Sequence, residues 1–259
     1  MARNPAESSR DELTGIIASA RMHLEMERSL GAERLPFSPE RVKELRGRRR
    51  AATTTRAGAN TASKKAAELE KLRLELAPCC RCELGRSRTN LVFGVGRPDA
   101  DLMFIGEGPG QQEDEQGIPF VGLAGQLLTK IIEAIGLTRD EVYIANIVKC
   151  RPPGNRQPSP EESAMCLPYL RRQIEIIRPR IIVTLGNVPT QTLLQTTVGI
   201  TKTRGIIVER DGILYMPTFH PAYLLRDPNK KKEVWEDMKR VWAKMKELGL
   251  RIGELKSAR

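Results

Sequence analysis

Between residue 91 and the C-terminus, short apolar runs alternate with stretches in which apolar positions recur every three or four residues. The runs 91–95, 102–105 and 181–185 are each followed at once by glycine, and with 142–148 they predict strands. Helical spacing predicts helices over 123–135, stopped by Gly136, and over 230–248. Another helix opens at Ser159, where Pro160 and Glu162 complete a capping box, and a further one follows Asn187 as its cap. Residues 206–209 and 213–216 flank Asp211-Gly212, a hairpin signal. Strand–helix alternation of this kind implies an α/β fold with a mainly parallel sheet between two helical layers. In such sheets the ligand site lies beyond the carboxyl ends of the strands.

Upstream the pattern changes. Leu13, Ile17, Ala20 and Leu24 recur at helical spacing behind a Ser9/Glu12 capping box, predicting an amphipathic helix over 9–30 with Gly31 as its stop. A single helix of this length is marginal alone, so its stripe calls for the main domain or another protein as partner. The chain divides into an N-terminal helix region, 1–40, a basic flexible linker, 41–74, and a main domain, 75–259, which a short helical run ending at Pro78 introduces.

Charge sharpens this division. Of the net charge of +11, +8 lies between Arg41 and Arg73, where eleven Lys and Arg face three Glu. A basic segment rich in Ala, Thr, Gly and Ser buries no core, and reads either as a polyanion-binding arm or as a solvated linker. No stretch has the apolar length of a membrane span, and the first residues lack a signal-peptide core. The expected location is cytoplasmic, where five cysteines are thiols or metal ligands rather than disulfides.

Cys79 and Cys82 form a C-x-x-C pair, and Cys150 and Cys166 arrive from distant segments. Two thiolates on a turn and two more from elsewhere can close a sulfur cage around zinc or an iron–sulfur cluster, and the spacing leaves both open. Buried free thiols are the plainer alternative, and Cys80 is the odd one out. Three loops at strand ends carry the remaining unusual residues. The first, Gly106-Glu107-Gly108-Pro109-Gly110, suits close approach of backbone to a ligand. Its register is not Gly-x-Gly-x-x-Gly, and Pro109 removes an amide, so a dinucleotide cradle is disfavoured. The second begins at Asn146, by itself compatible with an ordinary turn residue. The third contains His220, one of only two histidines, followed by Tyr223, Leu224 and Leu225, which are core residues or a wedge for a base stack.

These motifs occur in an order that resembles the family 4 uracil-DNA glycosylases. GEGPG followed by a Glu and a Phe, then NIVKCRPP, HPAYLLR and four cysteines carry the resemblance, which spans about residues 79–245. It implies a three-layer α/β/α sandwich with a four-stranded, mainly parallel central sheet, and excision of uracil from DNA. It further implies a structural [4Fe–4S] cluster held by Cys79, Cys82, Cys150 and Cys166. In the pocket so implied, Glu107 and Gly108 come from the first loop, Glu113 lies beside the C5 edge of the base and Phe120 stacks on it. Asn146 reads its pairing edge and His220 faces O2. Gly108 stands where better-known uracil glycosylases carry a water-aligning Asp, which leaves Glu107, Asn146 or the backbone to position water. Leu224, Leu225 and Arg226 are the expected DNA contacts.

The expected partner is uracil-containing DNA, double- or single-stranded, with a protein partner for the N-terminal helix, no membrane, and action as a monomer near the nucleoid. The alternative is a cluster-bearing DNA-binding module of the same superfamily without efficient turnover.

Overall fold

The computed structural model describes residues 61–255. The helix expected over 9–30 and most of the basic linker lie outside the described residues. Residues 61–76 form helix α1, whose Leu69, Leu72 and Leu76 recur every three or four positions and are all buried. The expected boundary at residue 75 is corrected accordingly. Packed chain begins inside the segment assigned to the linker, because three leucines on one helix face outweigh the flanking lysines.

After α2 (Glu83–Ser87) come β1 (Val95–Gly96), β2 (Leu102–Gly106), α3 (Gln111–Gln116), α4 (Leu123–Ala134) and β3 (Tyr143–Asn146). Then follow α5 (Pro160–Ile177), β4 (Ile181–Leu185), α6 (Asn187–Leu194), α7 (Ile200–Thr203), β5 (Val208–Arg210) and β6 (Ile213–Thr218). Helices α8 (Pro221–Arg226) and α9 (Lys231–Glu247) complete the described chain.

The sheet has six strands in the order β1-β3-β2-β4-β6-β5. The four central strands are mutually parallel, as expected, and two short antiparallel strands are added at the edges. The expected strand over 91–95 shrinks to Val95–Gly96 on one edge. On the other edge, Asp211 (φ 53°) and Gly212 (φ 74°) supply the two positive-φ residues of a tight hairpin turn.

Side-chain alternation along the strands explains the layers. Met103 and Ile105 pack on one face with Leu72, Leu170 and Ile174, whereas Leu102 and Phe104 pack on the other with Leu128, Ile132, Met238 and Val241. Helices α1, α5 and α6 cover the first face, and α4 and α9 the second. The capping box of α5 forms as expected: Ser159 Oγ accepts from the Glu162 N–H at 3.2 Å, and Glu162 Oε2 accepts from the Ser159 N–H at 2.8 Å. Asn187 departs from expectation. It is the first helical residue of α6 rather than its cap, and its Oδ1 accepts from the Ile200 N–H at 2.7 Å, anchoring α7 instead. Among the described residues no helix is long and apolar enough to cross a membrane.

Candidate active site

Because β2, β3 and β6 run parallel, the loops after Gly106, Asn146 and Thr218 emerge on one edge of the sheet. They enclose a cavity of about 360 Å³ whose walls include Glu107, Gly108, Glu113, Phe120, Asn146 and His220. All six pocket residues expected from the sequence therefore converge. A larger cavity, about 680 Å³, opens at the amino ends of β4 and β6 and holds none of them.

Asn146 ends β3, opposite Gly106 on β2. Its side chain is buried, and its Oδ1 has no hydrogen-bond partner among the described residues. A buried polar atom without a partner costs about 1–3 kcal/mol unless a ligand fills the role. Gly106 makes this arrangement possible. A Cβ there would stand 2.5 Å from Asn146 Oδ1 and 2.5 Å from Phe120 Cζ, so any side chain would displace both.

Phe120 adopts a positive φ of 56°, uncommon for an aromatic residue. Its loop is held from both sides. Glu113 Oε1 accepts from the N–H groups of Val121 (2.9 Å) and Gly122 (2.8 Å), and Oε2 accepts from the Gly110 N–H at 3.1 Å. Arg139 Nη2 donates to the Pro119 carbonyl at 2.8 Å. Glu113 thus lines the pocket while its carboxylate ties the first loop to the aromatic one.

His220 caps α8: its Nδ1 accepts from the Ala222 N–H at 3.1 Å. With that nitrogen accepting, a neutral ring carries its proton on Nε2. The ring is densely surrounded, and burial, reinforced by the nearby Arg226 charge, pushes its pKa down to about 4. The neutral, Nε2-protonated form therefore prevails at neutral pH. The Phe120 and His220 rings lie 5.6 Å apart and are inclined by 32°, so they form adjoining walls.

Burial raises the pKa of Glu107, whose carboxylate forms no hydrogen bond with any described residue. Gly108 brings the loop against β3's extension: a Cβ on it would come within 2.8 Å of Val148 Cγ2. Close packing here favours glycine over any longer residue.

Cys79, Cys82, Cys150 and Cys166 all line one small cavity of about 20 Å³, and exposed Cys80 does not. This resolves which cysteine of the C-C-x-C run faces the others. Arg88 Nη1 donates to Cys150 Sγ at 3.1 Å and to the Cys79 carbonyl at 3.1 Å. Burial raises the Cys150 thiol and pushes Cys166 up to about 11. Among the described residues no three His, Cys, Asp or Glu side chains are gathered tightly enough to grip a single ion. Four convergent thiols beside a guanidinium are nonetheless the donor set that an iron–sulfur cluster uses.

Comparison with known proteins decides the family. The uracil DNA glycosylase superfamily model matches residues 93–239. A type-4 uracil-DNA glycosylase of Sulfurisphaera tokodaii is 48% identical over 182 residues, covering 67% of this chain and 83% of the relative. The type-4 enzyme of Thermotoga maritima is 46% identical over 175 residues, 66% of this chain and 91% of the relative. The chain belongs to the type-4 uracil-DNA glycosylases. A type-5 uracil-DNA glycosylase of Pyrobaculum aerophilum is more distant, 32% identical over 146 residues, 50% of this chain and 64% of the relative.

In this type-4 uracil-DNA glycosylase the expected wedge needs correction. Leu224 retains 1% of its surface and packs in the core with Phe219 and Val234, so it has nothing to present to DNA. Leu225 is 45% exposed, and Arg226 is exposed on the cavity wall. The helical turn of α8 points Leu224 into the core and leaves Leu225 at the surface. Sequence reasoning missed Arg156, which lines the pocket and pairs with Glu162 at 2.7 Å. Its signal was the acidic first turn of α5, six residues downstream.

Proposed function

We propose that this chain flips uracil out of DNA and hydrolyses its N-glycosidic bond, leaving an abasic site for base excision repair. The buried, unpartnered Oδ1 of Asn146, beside Phe120 in the pocket at the strand ends, carries this reading. The carboxamide offers an acceptor to uracil N3–H and donors to O4, a pattern that cytosine does not match. Phe120 supplies a stacking face that offsets part of the few kcal/mol spent on flipping.

Bond cleavage leaves negative charge on the uracil and positive charge on the sugar. The Nε2–H of His220 donates to O2 where the charge grows, and its partly apolar surroundings make that bond stronger than in water. Glu107, ionised, stabilises the sugar cation and orients water. Its raised pKa fixes the pH response: excision should decline as pH falls through a midpoint above the ordinary glutamate value of 4.5. Glu107→Gln should give a slower rate without that acid limb; an unchanged profile in single-turnover assays removes Glu107 from the step.

Cys79, Cys82, Cys150 and Cys166 would hold a [4Fe–4S] cluster, which supplies a rigid cross-link between α1–α2, the β3 loop and α5. Cys150→Ser should lose iron and lower the melting temperature, whereas Cys80→Ser should change neither, as iron and sulfide analysis of anaerobically prepared protein will show. Stoichiometric zinc instead of iron would refute the cluster. We assign the basic stretch 41–60 to DNA backbone contact and region 1–40 to a protein partner, with a monomer acting in the cytoplasm.

The decisive test is incubation with a single-uracil oligonucleotide followed by alkali. Strand cleavage at uracil and none in the thymine control is the expected result, and no cleavage at either overturns the function.

A further inference from the structure

Lys149 is the only lysine among the described residues with no accessible surface. A buried ammonium is costly unless it is paired, and an apolar side chain would fill the same space more cheaply. Lys149 also sits between two sites, three residues after Asn146 and immediately before Cys150. Its Nζ turns back to donate to the Asn146 carbonyl at 2.9 Å and donates to Gln173 Oε1 at 2.6 Å. Gln173, equally inaccessible, donates through Nε2 to the Phe93 carbonyl at 3.0 Å and to the Tyr143 hydroxyl at 3.2 Å. Lys149 also lines the small cavity that Cys79, Cys82, Cys150 and Cys166 share. Among the described residues no carboxylate hydrogen-bonds to its ammonium.

This network joins the segment before β1, β3, α5 and the thiol cavity to one backbone carbonyl. That carbonyl belongs to the residue whose side chain must meet the base. We propose that Lys149 is a positioning residue for base recognition: held by Gln173 and facing the thiol site, it clamps the Asn146 main chain so that the carboxamide meets uracil at a fixed angle. The inference rests on the uracil reading of the pocket. It explains why a lysine is retained in a dry core, and it links the integrity of the thiol site to base discrimination without placing Lys149 in contact with substrate.

The test uses the full chain and a duplex carrying 2′-fluoro-2′-deoxyuridine, which resists cleavage, against the same duplex with thymidine. Fluorescence anisotropy gives the preference for the uracil analogue, read alongside iron content, melting temperature and single-turnover rate on cleavable uracil. Lys149→Met should reduce the preference about tenfold, the effect of misaligning one recognition pair, while affinity for the thymidine duplex stays unchanged. Gln173→Leu, which releases the lysine without removing it, should reduce the preference in the same direction by a smaller factor. A purely structural lysine predicts a different result: lower melting temperature, with wild-type preference and rate in the folded, iron-containing fraction. That result overturns the proposal. Should Lys149→Met fail to fold, Gln173→Leu decides alone, and an unchanged preference overturns it. Wild-type protein that neither cleaves uracil nor prefers the analogue overturns the pocket reading and this proposal together.

Discussion

His220→Ala is expected to slow single-turnover uracil excision about 10²- to 10³-fold while leaving DNA affinity nearly unchanged, as for loss of one donor to a developing oxyanion. The hydrogen bond strengthens only as charge leaves the sugar, so its loss belongs to the rate and not to binding. Substitution also removes the cap of α8, because Nδ1 accepts from the Ala222 N–H. His220→Asn separates the two effects: Asn is a good N-cap and should restore most of the stability lost by Ala, but not the rate. A near-normal single-turnover rate in either variant would take the histidine out of catalysis. The pH behaviour follows from a pKa pushed down to about 4 against an ordinary value of 6.5. Between those values the unfolded chain binds a proton that the folded ring refuses, so folding stability falls as pH drops from about 6.5 toward 4. The Asn variant should lose that part of the acid sensitivity in pH-dependent urea melts. Excision itself should not follow His220 at any pH above about 5, since the neutral donor persists there.

Asn146 carries the second large effect. Asn146→Ala leaves uracil N3–H and O4 without partners in a buried pocket, at about 1–3 kcal/mol each, so excision should fall by at least about 30-fold. Asn146→Asp replaces the donor that faces O4 with an acceptor. It should weaken uracil excision and allow slow, detectable cytosine excision, because the cytosine amino group then finds an acceptor and a protonated carboxyl serves N3. The new activity should grow as pH falls and at mismatched sites, where flipping costs less. Both variants retaining full uracil activity and full rejection of cytosine would reduce Asn146 to a turn residue and void the pocket assignment.

Local chemistry made much of this legible. The capping box at Ser159 and Glu162 and the Asp211-Gly212 hairpin depend on neighbours a few residues apart, and both form as expected. Where several elements compete for one side chain, local signals fell short. Asn187 has the composition of a cap, yet its oxygen serves Ile200, thirteen residues away, and only packing brings those two together. Leu224 and Leu225 are chemically alike and adjacent, so the choice between core and wedge waits on how α8 is turned by its cap and its packing against α4.

The sequence by itself determined the alternating architecture and the edge of the sheet where the site lies, because periodicity and turn signals are properties of a few consecutive positions. The residues expected there came from the resemblance of its motifs, in their order, to a known family. Only the tertiary structure decided how those residues work. Among the described residues it spends three hydrogen bonds of Glu113 on loop amides, leaves the Glu107 carboxylate without a hydrogen-bond partner, fixes the proton of His220 on Nε2 and strands Asn146 Oδ1. It also brings four cysteines from three segments to one cavity while excluding Cys80, and sinks Lys149 beneath Asn146. Hydrogen-bond partners, burial and the pKa shifts that burial imposes arise from groups distant in the chain, so no local pattern records them.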